Sequence, residues 1–378
     1  MEKPLRAILL AFQPQAIKLF FSQIDLSKVH LLAVFSDQGE SIRIATPPNK
    51  TIPTKSFSEI LSFIHRYRDE NVYWILTTAG AYDNLGTIAR LLVARGIRRD
   101  HILNGHVGDA THFQGNLRYA ERENMDYIAT GISYMEFGLD IKQIPYRGVN
   151  LAVSSQDLYY GYRIAADIFA HGKKLRFCLI GVTPYSLGYQ MHRSFMTIGA
   201  SRQYELLLPG EVREDDLFFQ LLSDAYKAQY VRRSFPADPN YDRFKTMVPH
   251  NISLKDFFHV ENMLQDVVVK LRQDAFASNL KTMKAYVRLC NEHHAKPIAV
   301  VLPLSPIIHD RYPGKELADF RAVLTSLQDE MGLSIIDLFD LRVDYDGFYD
   351  LVHMNPHGAA LASRAVAKRL DSILHGHS

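Results

Sequence analysis

Along the whole chain, short and almost unbroken apolar runs alternate with longer segments in which apolar residues recur every three or four positions. The first kind predicts strands: "RAILLAF" (6–12), "VHLLAVFSD" (29–37), "NVYWILTT" (71–78) and "HILNG" (101–105) in the first third. Further along come "DYIAT" (126–130), "GVNLAV" (148–153), "LRFCLIGV" (175–182), "PIAVVLPL" (297–304) and "LSIIDL" (333–338). The second kind predicts helices. In "NLGTIARLLVARGI" the apolar residues Ile88, Leu91, Leu92 and Val93 cluster on one face before Gly96 stops it, and "DLYYGYRIAADIFAHG" ends at Gly172. "NPHGAALASRAVAKRLDSIL" opens with Asn355 as cap and Pro356 in the first turn.

Strands alternating with helices predict parallel, doubly wound sheets. The polar stretch "YAERENMD" (119–126) divides the pattern, so the expected fold is α/β in two domains, a Rossmann-like sheet over 1–124 and a second α/β domain over 125–378. A mostly helical insertion is expected at about 190–295, between the third and fourth strands of the second domain. It contains "DDLFFQLLSDAYKAQYVRR" and "DFFHVENMLQDVVVKLRQDAF", and the expectation is a lid or a partner surface.

Composition narrows the function classes. A chain of 378 residues that is 47% apolar can bury two cores, which argues against disorder. Forty-three basic against 41 acidic residues, with no block of one sign, argues against a nucleic-acid partner. Cys178 and Cys290 have no metal-ligand spacing and suggest neither a disulfide framework nor a zinc site. The opening "MEKPLRAILLAFQPQAIKLFF" is interrupted by Gln13, Pro14, Gln15 and Lys18, so no membrane span is expected and the protein reads as soluble and cytoplasmic.

Candidate chemistry gathers at two places. "TGISYMEFGLD" brings Ser133 to the junction of a strand and a helix, where it is either a cap or a nucleophile. A serine nucleophile needs an imidazole to take its proton and a carboxylate to orient that imidazole. "YDLVHMNPHG" supplies Asp350 and His353 three residues apart, on one side of a single turn and after the last predicted strand. Loops beyond the carboxyl ends of parallel strands are where such groups can converge. The α/β-hydrolase elbow, G-x-S-x-G, is absent, because Gly131-Ile-Ser133-Tyr-Met lacks the second glycine. Asp350, His353 and Asp346 could also form a metal set, but no third histidine stands at a ligand spacing, so neither metal nor cofactor is expected. His293, His294 and His357 read as solvent-facing, and His375 and His377 as part of a frayed tail.

A serine closely after the first strand, with Asp-x-x-His just before the last helix, resembles the SGNH (GDSL-like) hydrolase family over roughly residues 126–378. The terminal block, with its Asn and Gly after the histidine, looks most like that of DltD-like envelope acyl-transfer proteins. The resemblance implies Ser133 as nucleophile, His353 as general base and acid, and Asp350 as its orienting carboxylate. It also implies an acylated carbohydrate or similar small ester as substrate. For the oxyanion it implies the Ser133 N–H, the N–H of Ser155 where the family has a glycine, and a third donor. That third place, normally an Asn side chain, reads "IGVTPYSLG", so Pro184 or Tyr185 occupies it and the Tyr185 hydroxyl is the candidate.

The first domain in outline resembles the small Rossmann-like domains of enzymes that handle nucleotide sugars, with Asp37 ending the second strand. After "ILLAF", however, comes "QPQA", without the glycines that admit a pyrophosphate, and Pro14 removes a donor. A structural scaffold, or a binder that has abandoned the dinucleotide, is therefore the expected role. The rival to an enzyme is a catalytically degenerate binding or assembly protein using the tyrosine-rich "QDLYYGYR" and the helical insertion as a partner surface.

Overall fold

The structure, a computed structural model, describes residues 3–36, 54–78, 83–108, 111–210, 215–237 and 273–376. The chain is α/β and forms two compact units, each built on a five-stranded sheet.

The first unit comprises Met1–Asp109 and His192–Arg233. Its strands β1 (Leu5–Ala11), β2 (Val29–Ser36), β3 (Thr54–Ser56), β4 (Tyr73–Thr77) and β5 (Ile102–Asn104) lie in the order β3-β2-β1-β4-β5, all parallel. The helices α1 (Pro14–Gln23), α2 (Ile60–Tyr67) and α3 (Asp83–Ala94) join them. Sheets of this kind are covered on both faces, which is why β1 is an unbroken apolar run: Ala7 to Ala11 are wholly buried. Trp74, Phe35 and Leu76 pack with Ile64, Leu85 and Leu92 from the helices. The four expected strands are present. The fifth, β3, escaped the sequence pattern because "TKS" has only three residues and no apolar alternation. Asp37 lies outside the described residues.

The expected domain boundary at 124/125 needs correction, since residues 110–124 belong to the second unit, which begins at Ala110. Residues 192–233, read as part of an insertion in the second domain, belong to the first unit. They form α8 (Ile198–Leu207), α9 (Leu217–Leu221) and α10 (Asp224–Arg232), after α4 to α7 of the second unit in chain order. One buried cation explains the attachment. Arg202 on α8, with 2% of its side chain exposed, pairs with both carboxylate oxygens of Asp216 at 2.6 and 2.8 Å. It also donates to the carbonyls of Asn104 and His106 just beyond β5, at 2.6 and 2.5 Å. A guanidinium satisfied on all sides can stay buried, whereas one left unpaired could not.

The second unit comprises Ala110–Met191 and Ser234–Ser378. Its strands β6 (Tyr127–Thr130), β7 (Gly148–Asn150), β8 (Phe177–Gly181), β9 (Lys296–Val301) and β10 (Ser334–Asp337) match the five expected ones. They run parallel in the order β10-β9-β8-β6-β7. The chain thus builds outward from β6 to β7, then crosses back to lay β8 on the other side of β6. Such a reversal opens a crevice at the carboxyl ends of the two central strands. Helices α4 (Thr111–Arg122), α5 (Ser133–Gly138), α6 (Leu158–Ala170), α7 (Pro184–Gly188), α11 (Gln273–Glu292), α12 (Pro306–Arg311), α13 (Gly314–Met331) and α14 (Pro356–His375) surround this sheet.

On one face Ala359, Ala362, Val366 and Leu370 of α14 pack on Tyr127, Phe177, Ile298 and Ile336. α11, the last part of the expected insertion, packs in the core of this unit, burying Met283, Tyr286, Val287 and Cys290. Residues 256–272 of its predicted helix lie outside the described residues. Both cysteines are free and buried. The tyrosines of "QDLYYGYR" also serve the core: Tyr160 is fully buried and Tyr162 packs edge-on against Tyr286. Among the described residues no helix is long and apolar enough to cross a membrane.

Candidate active site

β6 ends at Thr130, and the next residue needs a conformation open mainly to glycine. Gly131 has φ +143°, and a Cβ there would lie 2.8 Å from the carbonyl oxygen of Gly181. This tight passage between two strand ends delivers Ile132 and then Ser133, the first residue of α5. The N-cap position belongs to Ile132, which has no side chain able to cap the helix. The Ser133 hydroxyl serves another partner, 2.9 Å from His353 Nε2.

The imidazole is held by its neighbour in the same turn. His353 Nδ1 lies 2.7 Å from Asp350 Oδ2. Burial draws the Asp350 carboxyl upward, but the hydrogen bond and charge of His353 and the amides of Val352 and His353 outweigh it, leaving the group below its ordinary range. An ionised carboxylate can only accept, so Nδ1 donates to it, and in the neutral imidazole Nε2 then holds the lone pair that faces the hydroxyl. All three side chains are half-buried, accessible from solvent yet shielded enough to keep their geometry.

Several features force this turn. The other Asp350 oxygen accepts from the N–H groups of Val352 and His353, both at 2.8 Å, closing an Asx-type loop. Leu351 and Val352 are buried beneath it, and the wholly buried Ser305 donates to the Leu351 carbonyl at 2.5 Å. Asn355 caps α14 through the amides of His357 and Gly358 at 3.0 and 3.1 Å, while its Nδ2 holds the Asp346 carbonyl at 2.5 Å. Gly358 must be glycine, since a Cβ would come 2.1 Å from the Gly347 oxygen. The Asn and Gly of the terminal block are therefore parts of the clamp that seats His353.

The second loop lies alongside. After β7, Leu151 and Val153 donate to the carbonyls of Ala129 and Gly131 at 2.7 and 3.2 Å, continuing the sheet past its formal end. Gln156, which the sequence pattern did not single out, links the two loops: its Oε1 accepts from Gly131 N–H at 2.7 Å and its Nε2 donates to the Leu151 carbonyl at 2.9 Å. Between them Ser155 has φ +68°, a left-handed conformation that favours glycine. That conformation matches the position where the family resemblance expects a glycine.

The third loop begins α7. Tyr185 is its second residue and stacks on Tyr189 with ring centroids 4.9 Å apart. The buried amide of Asn279 fastens this loop by donating to the carbonyls of Ser186, Leu187 and Tyr189 at 3.1, 3.0 and 2.8 Å. Tyr134 and Phe137 flank the imidazole, with ring centroids 6.0 and 5.1 Å from that of His353. Burial, with the charges of Tyr312, Tyr185 and Asp350 adding to it, pushes the Tyr134 phenol well above its usual range, so it stays a neutral hydroxyl.

Compared with known protein families the chain matches none, and it matches no curated protein either.

The remaining candidates stand apart from this chemistry. Asp346 is exposed and contributes its backbone carbonyl to Asn355. Among the described residues no three His, Cys, Asp or Glu side chains form a group suited to a metal ion. His293, His294 and His357 are exposed as expected, with His293 stacked on Phe169 at 4.3 Å; His375, expected in a frayed tail, is instead the last residue of α14 and lies 3.2 Å from the Tyr146 hydroxyl, and His377 lies outside the described residues. Glu136, one turn after Ser133, is buried and accepts a hydrogen bond from the Ser154 hydroxyl.

Proposed function

We propose that the second unit is a serine esterase or O-acyltransferase of the SGNH type, acting on an acylated carbohydrate or another small ester. The observation that carries this reading is the continuous relay of 2.9 Å from Ser133 Oγ to His353 Nε2 and 2.7 Å from His353 Nδ1 to Asp350 Oδ2. As His353 takes the hydroxyl proton, Ser133 attacks the ester carbonyl, and the Asp350 carboxylate stabilises the imidazolium. Collapse of the tetrahedral intermediate expels the alcohol, which leaves with the proton held on Nε2, and an acyl group remains on Ser133. Water or a sugar hydroxyl, deprotonated by the same nitrogen, then releases it.

The backbone N–H groups of Ser133 and Ser155 are the proposed oxyanion donors, with the Tyr185 hydroxyl as the third candidate. Losing one such donor costs about a hundredfold or more in rate. One observation favours the second reading, a binding protein that has lost catalysis: the third loop presents Tyr185, stacked on Tyr189, where the family's asparagine would stand. A fluorophosphonate probe separates the two. Labelling of wild type that vanishes in Ser133→Ala supports the enzyme, and no labelling of a folded protein favours the binding module.

A further inference from the structure

The loop that carries Ser155 is held in an unfavourable backbone conformation, and the side chain that restrains it rises from the nucleophile's own helix. Glu136 stands three residues after Ser133, one turn along α5, and is buried. One of its oxygens accepts from the Ser154 hydroxyl, and the other lies 3.9 Å from His112 Nε2. Ser154 is itself exposed and immediately precedes Ser155, whose φ is +68°. A non-glycine residue in that region is disfavoured and persists only where its surroundings over-determine it. On the far side of the same turn, Gln156 is tied to Gly131 and Asp157 accepts from Met191 N–H at 2.8 Å. On the near side, the Ser154 hydroxyl is tied to Glu136.

We infer that Glu136 is a positioning residue for acyl transfer: through Ser154 it holds Ser155 left-handed so that the Ser155 N–H stays aimed at the developing oxyanion. This rests on the reading of Ser133 as nucleophile. The physical logic is that the donor is a backbone group, so its direction is set by φ and ψ rather than by a rotamer. Without the tie, a serine turn relaxes toward negative φ and the N–H rotates away. Because the interaction matters most once charge develops on the carbonyl oxygen, its loss lowers kcat and leaves KM nearly unchanged.

The test uses the full chain, hydrolysis of p-nitrophenyl acetate, and the rate of fluorophosphonate labelling. Ser154→Ala, a change at an exposed position, is expected to lower kcat about tenfold with KM within about twofold and no change in thermal unfolding, while Ser154→Thr keeps the hydroxyl and most of the rate. Glu136→Gln gives a second view of the same tie. In a Ser155→Gly background, where left-handed φ carries no penalty, Ser154→Ala is expected to cost less than about threefold. If wild type labels at Ser133 but Ser154→Ala and Glu136→Gln react at the wild-type rate, the positioning role is overturned and the nucleophile assignment stands. Equal losses from Ser154→Ala with and without the Ser155→Gly change also overturn it. A wild type that neither labels nor turns over ester overturns both.

Discussion

The two units are built on the same plan and finish it differently. In each, a five-stranded parallel sheet reverses its winding beside its first strand, and in each a helix follows that strand at the carboxyl edge. In the first unit the edge next to β5 is closed by Arg202, whose guanidinium uses up the Asn104 and His106 carbonyls. In the second, it is the end of the first and inner strand, β6, that leads to a half-buried hydroxyl, imidazole and carboxylate in line. The contrast shows that this topology only creates an opportunity at the strand ends. What stands at the strand ends, a structural ion pair or a hydrogen-bonded relay, is decided by a few polar residues.

The sharpest way to break the comparison is to remove the hydroxyl. Ser133→Ala is expected to abolish fluorophosphonate labelling and to lower ester turnover by about 10⁶-fold, with both units still folded. Asp350→Asn should cost about 10⁴-fold, because an amide in place of the carboxylate no longer fixes the proton on Nδ1; turnover of a chromogenic ester measures both. On the structural side, Arg202→Met leaves the Asp216 carboxylate buried without its partner and should destabilise the first unit by about 3–5 kcal/mol. Trp74, the only tryptophan in the chain and wholly buried in that unit, reports its unfolding in denaturant by fluorescence.

The same fluorescence tests a pH effect. Burial, with the nearby Arg202 charge adding to it, lowers the His106 imidazole to about 4. Its unfolded form takes a proton near the ordinary 6.5, so protonation favours unfolding. Stability is complete above that value and falls as pH drops from about 6.5 toward 4, by up to about 3 kcal/mol. His106→Phe should flatten that limb without touching labelling at Ser133. The smallest expected effect is that of Asn355→Ala, which removes the α14 cap and the hold on the Asp346 carbonyl. A loss of about 1 kcal/mol in stability and a modest slowing of labelling would show that the cap also steadies His353.

The strands and the Asp350–His353 pair were legible in the sequence for a common reason: both are written locally, whereas Ser133, 220 positions from His353, was reached only through its place at a strand end and the family resemblance. Nine strands announced themselves as apolar runs, and Asp350 and His353 sit within one turn, so spacing alone brings them together. What escaped depends on partners remote in sequence. Residues 192–233 look like any helical insertion until Arg202 is seen to bond carbonyls 96 and 98 positions upstream. Gln156, Ser305 and Asn279 are single polar residues in apolar or loop surroundings, with no periodic signal to mark them. Glu136 sits in a short helix, and nothing in the sequence places Ser154 against it. The left-handed Ser155 was approachable only through the family's glycine, not through the residue itself.

The interleaving of the units has a consequence for how the chain is made. Emerging from the ribosome, the first sheet is left without Arg202 and Asp216 until some hundred residues after β5, and by then β6, β7 and β8 are already exposed and awaiting β9. Neither half can mature alone before the other has begun. Synthesis therefore passes through a stage with two open sheets at once, the period in which a nascent chain most needs protection from pairing with its neighbours.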